Sequence, residues 1–234
     1  MERKPRIFQV NKTSILIEFD EDVNASLLKF LLNLKTSITE NNSKSILQII
    51  NAYNSLLIIY KFTINNFYKE KLSLYHQISK VELDKPLQSK VKTIPVCYDD
   101  NYAWDLESLS NDLRLTKDEI IQRHSSVIYT VYFIGFLPGF PYLGGLDSSL
   151  FHRRKSHPRL KIPMGSVGIA DTQTGIYPSE SPGGWQIIGR SPIRLFELAR
   201  KKHPCWLTAG DKVKFEPITK EKFEAINRDS TLIT

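Results

Sequence analysis

The first 134 residues of this 234-residue chain contain no glycine, and all eleven glycines occur from Gly135 onward. Ten of them, with seven of the twelve prolines, fall within residues 131–196, called the glycine segment below. Glycine serves where the backbone needs positive φ or where another group approaches closely. Tight turns that present polar and aromatic side chains from a β framework often form binding sites. We therefore predict that the functional site lies in the glycine segment.

Cysteine is scarce throughout the chain. The two cysteines, Cys97 and Cys205, fit neither a zinc-ligand spacing nor a Cys-x-x-Cys motif, and no histidine pair has metal-ligand spacing. These absences predict a reduced protein with no metal site. The chain also lacks an apolar run long enough to cross a bilayer and a secretory signal at its start. We therefore predict a cytoplasmic protein that does not contact a membrane.

The chain carries an excess of positive charge that is not concentrated in one segment. The net charge is +7 and the isoelectric point is about 9.3, yet the basic residues are scattered, with no basic helix and no basic strand interleaved with aromatics. This pattern favours a solvated basic surface and predicts no binding to nucleic acid. A local positive patch for an anionic ligand remains an alternative. A hydrophobic content of 41% is sufficient for one large or two small globular domains.

The first 88 residues predict a domain with both helices and strands. Apolar alternation predicts a hairpin at 7–10 and 14–19, a helix that Asn24 caps, strands at 46–50 and 55–60, and a second helix that Thr63 caps. This order predicts an α+β domain with helices on one face of an antiparallel sheet, in a ferredoxin-like arrangement. Residues 84–86, which include a proline, predict a linker.

Residues 89–234 predict a second domain, which begins with a strand at 90–98, where Pro95 indicates a sheet edge or a bulge. A helix at 105–113 and a capping box formed by Thr116 and Glu119 follow. The chain then shows a strand at 127–134 and many short strands joined by Gly/Pro turns, which favours a β-barrel or a sandwich. A last helical segment, KEKFEAI, lies near the end.

Several side chains of this second half are candidates for chemistry. His124, at a helix end that leads into the glycine segment, fits either a general base or a structural histidine bound to carbonyls. Arg159 and Arg190 lie between turn prolines and glycines, where a guanidinium can clamp a carboxylate or phosphate. Gln173 and Tyr177 can hydrogen-bond a polar ligand or hold a loop together. GWQIIGRS approaches the phosphate-binding loop motif but has Arg in place of Lys and a β-like Ile-Ile pair, so we predict a turn and strand.

Three blocks of the glycine segment carry a resemblance: FLPGFPYLGGLD, PRLKIPMGSVGIADTQTGIYP and SPGGWQIIGRSPIRLF. They resemble the family of allophanate hydrolase subunit 1 proteins, which includes the 5-oxoprolinase B subunit and the sporulation-kinase inhibitor KipI. The chain departs from the family pattern at four positions, which are Asn51, Lys61, Met164 and Asp171.

The resemblance implies an all-β, cyclophilin-like barrel for residues 89–234. It implies two partners: an allophanate hydrolase subunit 2-like protein (KipA-like, the 5-oxoprolinase C subunit) and a LamB/YcsF-type protein (the 5-oxoprolinase A subunit). It also implies a complex that uses ATP, bound mainly by or shared with those partners, to hydrolyse 5-oxoproline to glutamate, with this chain inactive alone. Two alternatives are implied as well, namely inhibition of a sensor histidine kinase, as by KipI, and a role in urea or allophanate processing.

For that reaction we predict a site with a cation for the carboxylate, donors for oxyanion charge and a wall that excludes water. The predicted catalytic residues are His124, Arg159, Gln173 and Arg190. The predicted substrate-binding residues are Phe140, Tyr142, Tyr177, Gly183, Gly184 and Trp185.

Overall fold

The computed structural model describes residues 3–81, 91–201 and 203–229. The chain forms two compact units, residues 1–88 and 89–234. The linker predicted at 84–86 lies outside the described residues.

The first unit is a four-stranded antiparallel sheet with two helices. Its elements are β1 (Pro5–Asn11), β2 (Ser14–Phe19), α1 (Ala25–Asn41), β3 (Ile46–Asn51), β4 (Ser55–Tyr60) and α2 (Phe67–Ser79). The strand order is β1-β2-β4-β3. Asn24 caps α1, as predicted, because its side chain accepts the N–H of Leu27. The predicted cap at Thr63 is wrong, because α2 begins later and Asn66 caps it.

The ferredoxin-like prediction for this unit is wrong. That arrangement runs strand, helix, strand, strand, helix, strand, whereas this unit runs strand, strand, helix, strand, strand, helix. β1 occupies one edge of the sheet because it forms a hairpin with β2, in which Ile7 lies opposite Ile17. The edge position is therefore occupied by the first strand and not by one that follows α2.

The second unit is built around a barrel. Its strands are β5 (Val91–Cys97), β6 (Ile128–Ile134), β7 (Pro141–Gly144), β8 (Arg159–Ile162), β9 (Ser166–Ala170), β10 (Gln173–Ile176), β11 (Ser181–Gly183), β12 (Gln186–Arg190) and β13 (Lys212–Ile218). Its helices are α3 (Leu106–Leu113), α4 (Lys117–Ser126) and α5 (Lys220–Arg228), with one 3₁₀ turn at Ser148–Leu150. Seven strands close the barrel in the order β10-β7-β6-β13-β5-β12-β9, and β8 pairs separately with β11.

The all-β prediction for residues 89–234 is wrong, because α3, α4 and α5 belong to this unit. The capping box is confirmed: Thr116 and Glu119 exchange side-chain and backbone hydrogen bonds at the start of α4. The predicted edge position of Pro95 is also wrong. β5 lies between β13 and β12, and Pro95 is opposite Glu216 in the parallel β5–β13 pair.

Gly175, in β10, is tightly enclosed. A Cβ at this position would lie 2.8 Å from the carbonyl oxygen of Pro141, 2.9 Å from the Trp185 ring and 3.0 Å from the Phe140 ring. We expect Gly175→Ala to lower the free energy of unfolding by about 1 to 2 kcal/mol through overpacking, measured by urea denaturation. Gly184→Ala is the control, expected within about 0.5 kcal/mol, because its Cβ would meet its nearest neighbour, the Lys155 carbonyl, at 3.4 Å. Equal free energies of unfolding for the two variants would contradict the conclusion that Gly175 has no room for a side chain.

Candidate functional site

Four of the predicted substrate-binding side chains form one aromatic cluster around Phe140. Its ring centroid lies 5.0 Å from that of Tyr142, 5.2 Å from that of Tyr177 and 5.3 Å from that of Trp185. Phe140, Tyr177 and Trp185 are buried and only Tyr142 is half-buried. Because three of its four rings are buried, the cluster forms a wall inside the glycine segment, called the aromatic wall below, and Tyr142 is the member that a ligand can reach.

The two glycines predicted for the site lie in the turn beside this cluster. A Cβ at Gly183 would lie 2.2 Å from the Tyr177 hydroxyl oxygen, so only glycine fits there without a shift. Burial raises the pKa of Tyr177 to about 12, although a hydrogen bond from the backbone of Trp185 opposes that shift. The carbonyl oxygen of Gly184 accepts the backbone N–H of Lys155 at 2.7 Å. The turn is thus fixed to the aromatic wall on one side and to the loop before β8 on the other.

Arg159 is engaged by a carboxylate that precedes α3. Its two terminal nitrogens donate to the oxygens of Asp105 at 2.8 and 2.7 Å, a bidentate pair. The ammonium of Lys155 lies 2.7 Å from the same carboxylate. The backbone N–H of Ile187, in β12, also donates to it at 2.7 Å. Asp105, Lys155 and Arg159, with the neighbouring Trp104, are called the Asp105 cluster below.

The Asp105 cluster combines a buried anion with two accessible cations. The Asp105 side chain is 3% exposed, against 29% for Arg159 and 26% for Lys155. Burial alone would raise the pKa of Asp105, but the hydrogen bonds from Arg159, Lys155 and Ile187 outweigh it and hold the pKa below its usual value. The Arg159 guanidinium also lies 5.4 Å from the ring centre of the exposed Trp104. Two cations and one carboxylate leave a net positive, partly open surface that suits an anionic group.

Asp105 was missed as a functional candidate at the sequence level. An aspartate at the start of a predicted helix is usually explained by the helix terminus itself, as an N-cap or a first-turn acid. In the structure Asp105 occupies the N-cap position of α3, but its side chain makes no capping hydrogen bond. It turns instead toward Lys155 and Arg159, which lie some fifty residues further along the chain.

His124 lies inside the barrel and is 0% exposed. The Thr174 hydroxyl donates to the Gly168 carbonyl at 2.9 Å, so it accepts from His124 Nε2, also at 2.9 Å. His124 Nδ1 is then the acceptor for the Tyr98 hydroxyl at 2.8 Å. Burial lowers the pKa of His124 to about 3. This geometry favours the structural interpretation of His124 over the general base.

The remaining predicted residues lie apart from that histidine. Arg190, at the end of β12, donates through Nε to the carbonyl oxygen of Met164 at 2.8 Å. Its guanidinium lies 5.9 Å from the ring centre of Phe223 in α5. Gln173 is half-buried and pairs with Ala170 between β9 and β10. His124, Arg159 and Arg190 thus belong to three different sets of contacts.

The residues that approach a phosphate-binding loop lie mostly in β12, Gln186–Arg190, so they form a barrel strand, as predicted. In the described ranges, no group of three or more His, Cys, Asp or Glu side chains is placed to hold a metal ion. Cys97 and Cys205 are both free thiols. Over the same ranges no helix combines the length and apolarity of a membrane span.

Residues 5–207 match the family described as carboxyltransferase domain, subdomain C and D. The chain belongs to this family. The chain is also 34% identical to the 5-oxoprolinase B subunit of Bacillus subtilis, over 96% of this chain and 98% of that protein. The resemblance identified in the glycine segment is therefore confirmed.

Two solved structures share the fold. TTHA0988 has a TM-score of 0.75 at 30% identity over 88% of this chain, and the match spans 40% of that longer protein. Urea amidolyase of Kluyveromyces lactis has a TM-score of 0.85 at 22% identity over 99% of this chain, and the match spans 16% of that protein. The cyclophilin-like description is therefore wrong, since the architecture is that of carboxyltransferase subdomains C and D.

Proposed function

We propose that this chain is the B subunit of a 5-oxoprolinase, an amide-bond hydrolase that converts 5-oxoproline to glutamate. The observation that carries the proposal is the nearly end-to-end similarity to the 5-oxoprolinase B subunit of Bacillus subtilis. A relationship over 98% of that protein's length, unlike a shared domain, involves the whole polypeptide. The chain is proposed to be inactive alone, because the Asp105 cluster and the aromatic wall form only one side of a site.

The reaction explains why such a protein needs partners. The lactam of 5-oxoproline is a stable amide, so its hydrolysis requires activation, which ATP supplies as the phosphoryl donor. The glycine-containing stretch that comes nearest to a phosphate-binding loop is a barrel strand here, so it does not supply such a loop for ATP. We therefore propose that ATP is bound mainly by two partners, one of the LamB/YcsF type and one of the KipA-like type.

The Asp105 cluster is the best candidate for this chain's contribution. Asp105 fixes the Arg159 guanidinium and the Lys155 ammonium in place, so little side-chain entropy is lost when a ligand meets them. The N–H groups that Asp105 does not engage can donate to the carboxylate of 5-oxoproline or stabilise negative charge that develops on the opened ring. The buried aromatic wall packs against the neighbouring turn, which favours the exclusion of water from that side of the site.

The proposal is tested by leaving this chain out of a reconstituted complex. The LamB/YcsF-type and KipA-like partners are expressed with and without the chain, and the formation of glutamate from 5-oxoproline with ATP is measured. We expect glutamate only when the chain is present, and restoration when the purified chain is added back. The Asp171→Asn variant is the control and should retain full activity, because the Asp171 side chain is exposed and its ion pair is with the equally exposed Arg154.

Equal glutamate formation without the chain, in a complex shown by gel filtration to assemble, would contradict the proposal. Binding of a histidine kinase would then be the next activity to measure.

A further inference from the structure

A recess of about 290 Å³ lies between the end of β12, the turn before α3 and helix α5. Its lining consists of Tyr102, Arg190, Phe223, Glu224, Asn227 and Arg228. Four of these six residues come from α5, which follows the residues 5–207 that match the family. The recess is therefore built partly by an element outside the matched region, and the Asp105 cluster contributes no residue to its lining.

The guanidinium of Arg190 is fixed in this recess but only partly used. Nε donates to the Met164 carbonyl at 2.8 Å, and the group lies 5.9 Å from the Phe223 ring centre. The Phe223 ring in turn lies 4.5 Å from that of Tyr102. Within the described part of the chain, neither terminal nitrogen of Arg190 has a hydrogen-bond acceptor, and no carboxylate lies within ion-pair distance. Nε of Arg190 is therefore engaged by the Met164 carbonyl, while the two terminal nitrogens can donate hydrogen bonds to a ligand.

An unpaired and half-buried cation is unfavourable, and an anion would compensate for it. Arginine stays protonated at neutral pH, and loss of hydration without an opposite charge costs free energy. Burial accordingly lowers the pKa of Arg190. Two terminal nitrogens in a plane match the two oxygens of a carboxylate or phosphate.

The other residues of the recess modify this preference. Arg228 adds a second positive charge and Asn227 adds an amide. Glu224 is the acid among the described residues of the lining, and it is exposed. Its negative charge repels a bound anion, so removal of that charge should strengthen the binding of an anion and weaken that of a cation.

We infer that the recess binds a small oxyanion, a carboxylate or a phosphate, through the two terminal nitrogens of Arg190. The ring pair formed by Tyr102 and Phe223 provides the floor that holds the guanidinium in plane. This site goes beyond the proposed hydrolase function, because it requires neither the partner proteins nor the Asp105 cluster.

The test is a titration of the whole purified chain with sodium phosphate and, separately, with sodium acetate at constant ionic strength, followed by amide chemical shifts in NMR spectra. We expect saturable shifts at residues of the recess for at least one of the two anions. The expected dissociation constant is on the order of 1 mM, as for a few charge-assisted hydrogen bonds. The stronger of the two titrations tells whether the site prefers a phosphate or a carboxylate.

Three variants make the result specific. Arg190→Gln should weaken binding at least about tenfold, whereas Glu224→Gln, an exposed change that leaves the fold intact, should strengthen it about two- to threefold. Arg154→Gln is the matched control, since Arg154 is an exposed arginine in the same unit, and its affinity should be unchanged. The inference is overturned if neither anion gives saturable shifts up to about 50 mM, a concentration well above the expected dissociation constant, or if Glu224→Gln leaves the affinity unchanged.

Discussion

Asp105→Asn is expected to lower the free energy of unfolding by about 3 kcal/mol. The substitution keeps the shape of the side chain but removes the negative charge that Arg159 and Lys155 share. Two cations then face each other across an amide whose N–H₂ group is itself a donor, in a position that is 3% exposed. The cost lies at the lower end of the range for a broken buried pair, because both cations reach solvent. Urea denaturation at pH 7 measures it.

Asp171→Asn is the matched control for this prediction. Asp171 also accepts from an arginine, Arg154, but both side chains are 56% exposed. Exposed pairs contribute at most about 1 kcal/mol, and asparagine tolerates the positive φ of Asp171 as well as aspartate does. Similar changes in the free energy of unfolding for the two substitutions would show that the buried Asp105 carboxylate does not stabilise the fold through Arg159 and Lys155.

The same variant has a functional consequence. In the reconstituted complex we expect Asp105→Asn to reduce glutamate formation even at temperatures where the chain stays folded, because Arg159 and Lys155 lose their fixed positions. Arg159→Ala is a poorer probe of the site than Asp105→Asn. It leaves the buried Asp105 carboxylate with one cation fewer, so a loss of activity would mix unfolding with loss of a ligand contact.

Acidification from pH 7 to pH 5 is expected to lower the free energy of unfolding by about 2 kcal/mol through His124 alone. Burial lowers its pKa to about 3 in the folded chain, against about 6.5 when unfolded. Between pH 6.5 and pH 3, the unfolded state therefore binds a proton at His124 and the folded state does not. The contribution of neutral His124 to the free energy of unfolding is fully present above pH 6.5 and is lost as the pH falls toward 3. Carboxylates such as Asp105 add their own loss only below about pH 4.

His124→Gln separates this effect from other groups. Glutamine offers one donor and one acceptor for Thr174 and Tyr98 but does not titrate, so the drop between pH 7 and pH 5 should shrink by about 2 kcal/mol. If the variant does not fold, nitrogen chemical shifts of the wild-type imidazole provide the test. We expect a proton on Nε2 and none on Nδ1 down to about pH 4. Titration of His124 near pH 6.5 would contradict the buried network.

Local patterns predicted most individual elements. The span of β4, the cap at Asn24 and the capping box of α4 follow from side-chain spacing and hydrogen-bonding chemistry, which act over a few residues. The arrangement of those elements was not predictable in the same way. The order of elements in the first unit was visible in the sequence and already differs from the ferredoxin-like order, whereas the neighbours of each strand in the sheet are not specified by periodicity.

The site shows the same division between local and distant information. The four aromatic residues around Phe140 were named from the sequence as substrate-binding residues because they lie in the glycine segment, and the structure places their rings in one cluster. The Asp105 cluster was only partly predicted, since Arg159 stood out between turn residues while its carboxylate lies in a different element. His124 was correctly placed at a helix end leading into a strand, but only the fold shows that the imidazole points into the barrel.

The parallel pairing of β13 with β5 has a consequence for biosynthesis. Lys212 pairs with Val91, and the same strand pairs with β6 on its other side, with Lys212 opposite Thr130. On the ribosome, the sheet of the first unit is complete once β4 has emerged, whereas β5 and β6 keep unpaired edges until residue 218 is released. Such long-range closure is slow, and open strand edges recruit other chains. We therefore expect the nascent second unit to be more prone than the first to pair with other chains before its synthesis is finished.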